Sequence, residues 1–198
     1  MLTKEQVLAP LPGLRGDAVV VTTMGMVRPW GRYSDSGLDF ASADSAMGHA
    51  ADLALGIALA QPHRKVICLN GDGSMLMTLG TLVTAAQSAA ANFILFVVEN
   101  STYEITGNQP VPGAGFVNYE AMARAAGFPH AFSFSDAEDY ETRLPAALQS
   151  VGPVLISVRV EPGLEGPLSR TQQEQARYLQ PSLAESAHQL RESLAAAG

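Results

Sequence analysis

Short apolar blocks separated by longer amphipathic ones set the rhythm of this chain. "DAVVVTT" (17–23), "KVICLN" (65–70), "FILFVVEN" (93–100), "HAFSF" (130–134) and "GPVLISVRV" (152–160) are bounded runs rich in β-branched and aromatic residues and predict strands. The central ones carry few polar positions, as expected of a parallel sheet covered on both faces. Between the strands, "SADSAMGHAADLALGIALA" (42–60), "SMLMTLGTLVTAAQSAA" (74–90), "NYEAMARAAG" (118–127) and "DAEDYETRLPAALQS" (136–150) predict helices. Gly127 closes the third of these and Asp136 caps the fourth. In the first, the small residues Gly48 and Gly56 predict close packing against another backbone. Strands alternating with helices define an α/β fold: a three-layer, open, mostly parallel sheet with helices on both faces. It occupies residues 1–162 as one domain. Residues 163–198 form a polar tail with a helical pattern in "SLAESAHQLRESLAAA".

Composition narrows the function. Of 198 residues, 47% are hydrophobic and 16% charged, which suits a packed core rather than a disordered chain. No apolar run reaches the roughly 18–20 residues a membrane-spanning helix needs. The N-terminus "MLTKEQVLAP" lacks the basic-then-apolar pattern of a signal peptide. The expectation is a soluble, cytoplasmic protein. A net charge of −7 argues against nucleic acid as a partner, because affinity for phosphate backbones needs clustered Lys and Arg. The single cysteine, Cys68, lies inside "VICL" and reads as a reduced core thiol. One cysteine excludes an internal disulfide, an iron–sulfur cluster and a structural zinc cluster of cysteines.

The candidate chemistry begins at "KVICLNGDGSMLMTLG" (65–80), where an apolar strand runs into Gly-Asp-Gly and then into a helix. Ligands of open parallel sheets bind where strands end and helices begin, and a helix N-terminus there favours phosphate. Gly71 and Gly73 let the backbone come close to a ligand. Asp72 would repel a diphosphate unless a divalent cation sits between them, and Mg²⁺ takes oxygens from one or two protein groups and from phosphate. Asn100, 28 positions later at the end of the next strand, supplies a second, uncharged oxygen beside the first. A dinucleotide-binding loop of the G-x-G-x-x-G type is absent from "TTMGMVRPWG" (22–31).

The strand, GDGS, a helical stretch and an Asn at a strand end together resemble the thiamine diphosphate signature. "SAMGHAADLALGIALA", "NGDGSMLMTLGTL" and "ENSTYEITGNQP" extend the likeness to the diphosphate-binding half of thiamine-dependent 2-oxoacid decarboxylases, particularly those of sulfopyruvate and phosphonopyruvate. The match runs over about 19–160. The resemblance implies that Asp72, the Asn100 side-chain oxygen and the Thr102 carbonyl bind Mg²⁺. It places the diphosphate on Gly71, Gly73 and Ser74, with Thr23 and Gly25 in the other phosphate-side loop. It gives the Ser45 carbonyl a hydrogen bond from the aminopyrimidine, and sets Met47, beside Gly48, as a wedge that bends the cofactor. Tyr103 and Ile105 would wall the site. Relatives often have Asn-Asn where this chain has Glu99-Asn100, and Gly where it has Thr102. In some, a catalytic Glu stands where this chain has Thr106.

The activating glutamate of such enzymes lies on a separate pyrimidine-binding domain, which nothing here resembles. The implied partner is therefore an α-type, pyrimidine-binding subunit in an α₂β₂ or larger assembly, with a small 2-oxoacid as substrate. A carboligase of the acetolactate-synthase type and a non-catalytic scaffold of the same fold are the alternatives. Several residues have two readings. His49 is a catalytic candidate or a packed helix residue; Arg28 and Arg32 meet an anionic substrate group or lie in a solvated loop. Gln109 lines the pocket or orders its loop, and Glu99 turns toward solvent or a backbone N–H.

Overall fold

A computed structural model describes residues 1–44 and 47–196. Five parallel strands form the frame: β1 Val19–Thr23, β3 Val66–Gly71, β4 Phe93–Glu99, β7 His130–Phe134 and β8 Val154–Arg159, with β2 Asp39–Ser42 on the outer edge. Among the described residues the order is β2-β1-β3-β4-β8-β7, every pair parallel. A separate two-stranded hairpin, β5 Thr102–Tyr103 and β6 Gln109–Pro110, follows β4. Chain order reverses between β1 and β3, which opens a crevice above their C-terminal ends.

Alternation along the strands builds two cores. Val19, Val21, Cys68, Phe93, Leu95 and Val97 face one side, under helices α4 Ala50–Ala60, α6 Gly80–Ser88 and α7 Tyr119–Ala126. Val20, Ile67, Leu69, Ile94, Phe96 and Val98 face the other. There they pack against α1 Lys4–Leu8, α2 Leu11–Leu14, α3 Val27–Gly31 and α8 Ala137–Gln149. Both faces are covered, as the apolar strands require. Cys68 is fully buried, and desolvation pushes its thiol well above the usual range. No helix among the described residues is long and apolar enough to cross a membrane.

Several boundaries differ from the sequence expectation. The helix expected over 42–60 begins at Ala50, because 39–42 pairs with β1 as an edge strand. The helix expected over 74–90 is two: α5 Asp72–Met77 and α6. The break falls at Thr78, whose hydroxyl donates to the Gly48 carbonyl (2.7 Å) and holds the two segments apart. The caps fall where expected. Asp136 accepts from the Asp139 N–H at 3.1 Å, and Gly127 takes the left-handed conformation that ends α7.

The C-terminal segment runs back over the body. Arg28 forms a two-pronged pair with Glu174 (2.7 and 2.9 Å), Arg32 meets Glu165 (2.6 Å), and Ala176 and Leu179 bury against Val27 and Ala41. Helix α9 Leu183–Ala196 then adds Leu190 to the first core.

Candidate cofactor site

At the crevice the C-terminal ends of β1, β3 and β4 enclose a solvent-open cavity with about 800 Å³ of empty space. Thr23 and Gly25 reach it from the end of β1, and Gly71, Asp72, Gly73 and Ser74 from the β3–α5 turn. Met47 and Gly48 come from the loop before α4; Asn100, Thr102, Tyr103 and Ile105 come from the segment after β4. Twelve residues expected at the site thus line one cavity. Met47 stands at its rim with 61% of its surface exposed. Ser45 lies outside the described residues. His49 is not in the wall: its Nδ1 sits 2.5 Å from Asp52, whose other oxygen accepts from Thr81.

Asp72 occupies the tightest position. Its carboxylate is buried and accepts two main-chain N–H groups, from Gly73 (2.8 Å) and Ser101 (2.7 Å). Burial pushes its carboxyl above the ordinary range, against the lowering effect of those donors. Ser101 reaches it by adopting a left-handed backbone (φ 63°), one residue before the position where the sequence drew attention to Thr102. Behind the turn, the Tyr119 hydroxyl donates to the Asp72 carbonyl at 3.1 Å. Asn100, just past β4, donates through Nδ2 to Glu104 (2.9 Å) and accepts from the Thr102 N–H through Oδ1 (3.1 Å).

The donor set suits a hard divalent cation bearing a diphosphate. Asp72, Asn100 and the Thr102 carbonyl offer oxygen only, and no three His, Cys, Asp or Glu side chains group as a metal cage among the described residues. A site of one carboxylate plus neutral oxygens leaves coordination positions for phosphate, as Mg²⁺ prefers. The hydroxyls of Thr23 and Ser74, 3.3 Å apart, lie on the same wall. At Gly73 the backbone passes directly under the Tyr103 ring: a Cβ there would overlap the ring and lie 3.1 Å from Val111. Only glycine keeps this approach to the cavity open.

Other sequence candidates lie elsewhere. Arg28 and Arg32 face neither the cavity nor open solvent alone, since both are tied to acidic residues of the tail. Gln109 orders its own hairpin, exchanging hydrogen bonds with Thr106 (2.8 and 2.9 Å). Glu99 turns neither to solvent nor to a backbone N–H: it accepts from the Ser157 hydroxyl, and burial raises its carboxyl above the ordinary range. Lys4 and Glu104, which no sequence pattern marks, form a buried ion pair in the cavity wall. Met24, Met26 and Met77 add apolar surface there.

A glycine-flanked carboxylate and a strand-end amide, converging on a cavity at the switch point of a parallel sheet, define a cofactor-binding domain. The chain belongs to the thiamine pyrophosphate enzymes, matching their C-terminal TPP binding domain over residues 22–158. It is 36% identical to sulfopyruvate decarboxylase subunit beta of Methanothermobacter thermautotrophicus over 82% of this chain and 84% of that one. Identity is also 36% to the phosphonopyruvate decarboxylase of Streptomyces hygroscopicus, over 84% of this chain but 40% of that longer protein. The fold superposes on the thiamine diphosphate-dependent 4-hydroxybenzoylformate decarboxylase of Rhodococcus jostii with a TM-score of 0.66 and 25% identity, covering 83% of this chain and 33% of that structure.

Proposed function

We propose that this chain is the cofactor-binding subunit of a two-chain, thiamine diphosphate- and Mg²⁺-dependent decarboxylase of a small 2-oxoacid carrying a second anionic group, such as sulfopyruvate or phosphonopyruvate. The observation that carries the reading is the convergence of Asp72 and Asn100, from the ends of two adjacent strands, on a cavity walled by Gly73, Ser74 and Thr23. The name "subunit beta" of the Methanothermobacter relative supports a two-chain organisation.

In this reading Asp72, the Asn100 oxygen and the Thr102 carbonyl hold Mg²⁺. Ser74, Thr23, Gly25, Gly71 and Gly73 receive the diphosphate. Bound thiamine diphosphate supplies the electron sink that decarboxylation of a 2-oxoacid requires. Met47, beside Gly48, supports the cofactor from beneath. Tyr103 and Ile105 exclude water from the reacting end. The glutamate that activates the cofactor comes from a pyrimidine-binding partner subunit in an α₂β₂ or larger cytoplasmic assembly. Residues 1–162 serve as the binding domain and 163–198 as a tail fastened to it.

The test is to express the chain alone and with the product of a neighbouring gene, and to follow CO₂ release from pyruvate, sulfopyruvate and phosphonopyruvate. Release is expected only from the complex, only from a substrate with a second anionic group (sulfopyruvate or phosphonopyruvate, not pyruvate), and only with Mg²⁺ present. Full activity of the isolated chain contradicts the partner requirement. Acetolactate-type products in place of aldehydes contradict the decarboxylase assignment.

A further inference from the structure

The carboxylate of Glu104 is nearly sealed from solvent, with 2% of its side chain exposed, although it stands in the wall of the cofactor cavity. It gathers groups from two distant parts of the chain and one from its own loop. Lys4, from the first helix, pairs with Oε2 and also donates to the Gly25 carbonyl at 3.2 Å. Asn100 donates to the same oxygen at 2.9 Å. The backbone N–H of Glu165 donates to Oε1 at 2.9 Å. With these partners Glu104 faces inward, toward Asn100, rather than toward a substrate.

An amide side chain has nearly the same shape either way round, but only its oxygen binds a cation. Against an acceptor such as a carboxylate, only the –NH₂ end is tolerated. Glu104 therefore selects the orientation in which Asn100 presents Oδ1 to the cavity.

What holds Glu104 is the tail. Residue 163 is glycine, and a Cβ there would overlap Oε1 of Glu104 and lie 3.0 Å from its carboxyl carbon. The Gly163 carbonyl accepts from Asn108 at 3.2 Å, and Asn108 in turn accepts from the Thr102 hydroxyl at 2.7 Å. Beyond it, Arg28 holds the carbonyls of Gly166 and Pro167 at 3.1 and 2.8 Å. The strap thus ties α3, which follows β1, to the loop after β4.

We propose that Glu104 is a positioning residue for the metal-binding amide of Asn100, and that Lys4 and the tail at 163–165 hold Glu104 in place, so that the tail sets how tightly the cofactor's cation is retained. This rests on the reading of Asp72 and Asn100 as cation ligands. Partners that orient a metal ligand typically change metal affinity 10- to 100-fold when removed.

The experiment titrates Mg²⁺ into the chain in complex with its partner subunit at constant thiamine diphosphate and follows cofactor uptake by calorimetry, with the melting temperature of the empty chain recorded in parallel. Gly163→Ala, which displaces the Glu104 carboxylate from outside the cavity wall, and Glu104→Met, which removes the acceptor, are compared with wild type. The expected result is an Mg²⁺ midpoint raised about tenfold for both variants, with uptake recovering fully at saturating Mg²⁺; the melting temperature falls in both, because removing or displacing the Glu104 carboxylate leaves Lys4 a buried, poorly paired charge. Uptake reduced equally at every Mg²⁺ concentration, with no recovery at saturation, makes Glu104 a structural residue and overturns the proposal. Wild-type uptake with unshifted midpoints in the variants overturns it too, leaving the ligand assignment standing. A wild-type complex that takes up no thiamine diphosphate at any Mg²⁺ concentration overturns the ligand assignment and, with it, this proposal.

Discussion

Asp72→Asn is expected to lower Mg²⁺-dependent thiamine diphosphate uptake by about 100-fold or more while moving the melting temperature of the empty protein by only a few degrees. The binding loss follows from charge. Asp72 is the sole carboxylate among the three assigned ligands, so the variant leaves the cation only neutral oxygens. Groups that merely orient a ligand already account for up to about 100-fold in metal affinity, and a ligand should exceed them. On 1.36 kcal/mol per decade, that is at least about 2.7 kcal/mol. The small effect on folding follows from two opposed terms. Burial holds the Asp72 carboxyl above its ordinary range, so the ionised form is disfavoured in the empty fold. A carboxylate with a raised folded-state pKa loses stability as pH rises from the unfolded pKa through the folded one. At neutral pH the uncharged amide escapes that loss. It also loses an acceptor, because the N–H groups of Gly73 and Ser101 each use a different Asp72 oxygen. One such bond is worth about 1 kcal/mol or somewhat more. With about 2–4 °C per kcal/mol at this chain length, the terms nearly cancel in melting temperature. Uptake by calorimetry and melting by circular dichroism separate the two effects. Wild-type uptake by the variant would remove Asp72 from the metal site.

How much of this site could be read from the sequence depended on whether its partners are neighbours along the chain. Asp72 and Asn100 each sit at the end of an apolar strand, β3 or β4, that is visible by itself, and consecutive parallel strands deliver their ends to one edge. Residues joined by distant pairing left no such trace. Lys4 and Glu104 are separated by 100 positions, and neither "TKEQ" nor "TYEIT" marks its charge as buried. The role of Ser101 depends on a left-handed backbone that a serine seldom adopts, so nothing in its side chain announces it. Thr78 broke an otherwise regular helical pattern because its hydroxyl found the Gly48 carbonyl, 30 positions away. Helix propensity is a weak prior against such a tertiary bond. Arg28 and Arg32 likewise depend on distant partners. They are solvated-loop or substrate candidates until the tail, more than 130 positions on, brings Glu174 and Glu165 to them.

Strand β2 shows what the missed long-range pairs contribute to stability. It is short and begins with a charged residue, Asp39, which a strand pattern does not favour. Asp39 is tolerated because its side chain, 0% exposed, meets Arg15 at 2.6 Å, and because Arg15 also donates to the Ala18 carbonyl and lies 5.4 Å from the Trp30 ring centre. Removing one member of a buried pair strands the other charge, typically costing about 3–5 kcal/mol. Arg15→Met leaves Asp39 with the Ser34 hydroxyl at 2.5 Å and the Ser36 N–H at 3.1 Å, so the lower figure applies. The expected result is a loss of about 3 kcal/mol, or roughly 6–12 °C in melting temperature for a chain of this size. Arg15→Met combined with Asp39→Leu should recover much of that loss, because no buried charge then remains unpaired. Arg143→Met supplies the contrast. Its pair with Asp139 is about half exposed on both sides, and exposed pairs one helical turn apart contribute only about 0.3–0.5 kcal/mol. Its melting temperature should shift by no more than about 2 °C. Equal losses from Arg15→Met and Arg143→Met would mean that the Arg15–Asp39 pair is no more sheltered from water than a surface contact. The edge strand leading toward Met47 and Gly48 would then owe its place to β1 pairing alone.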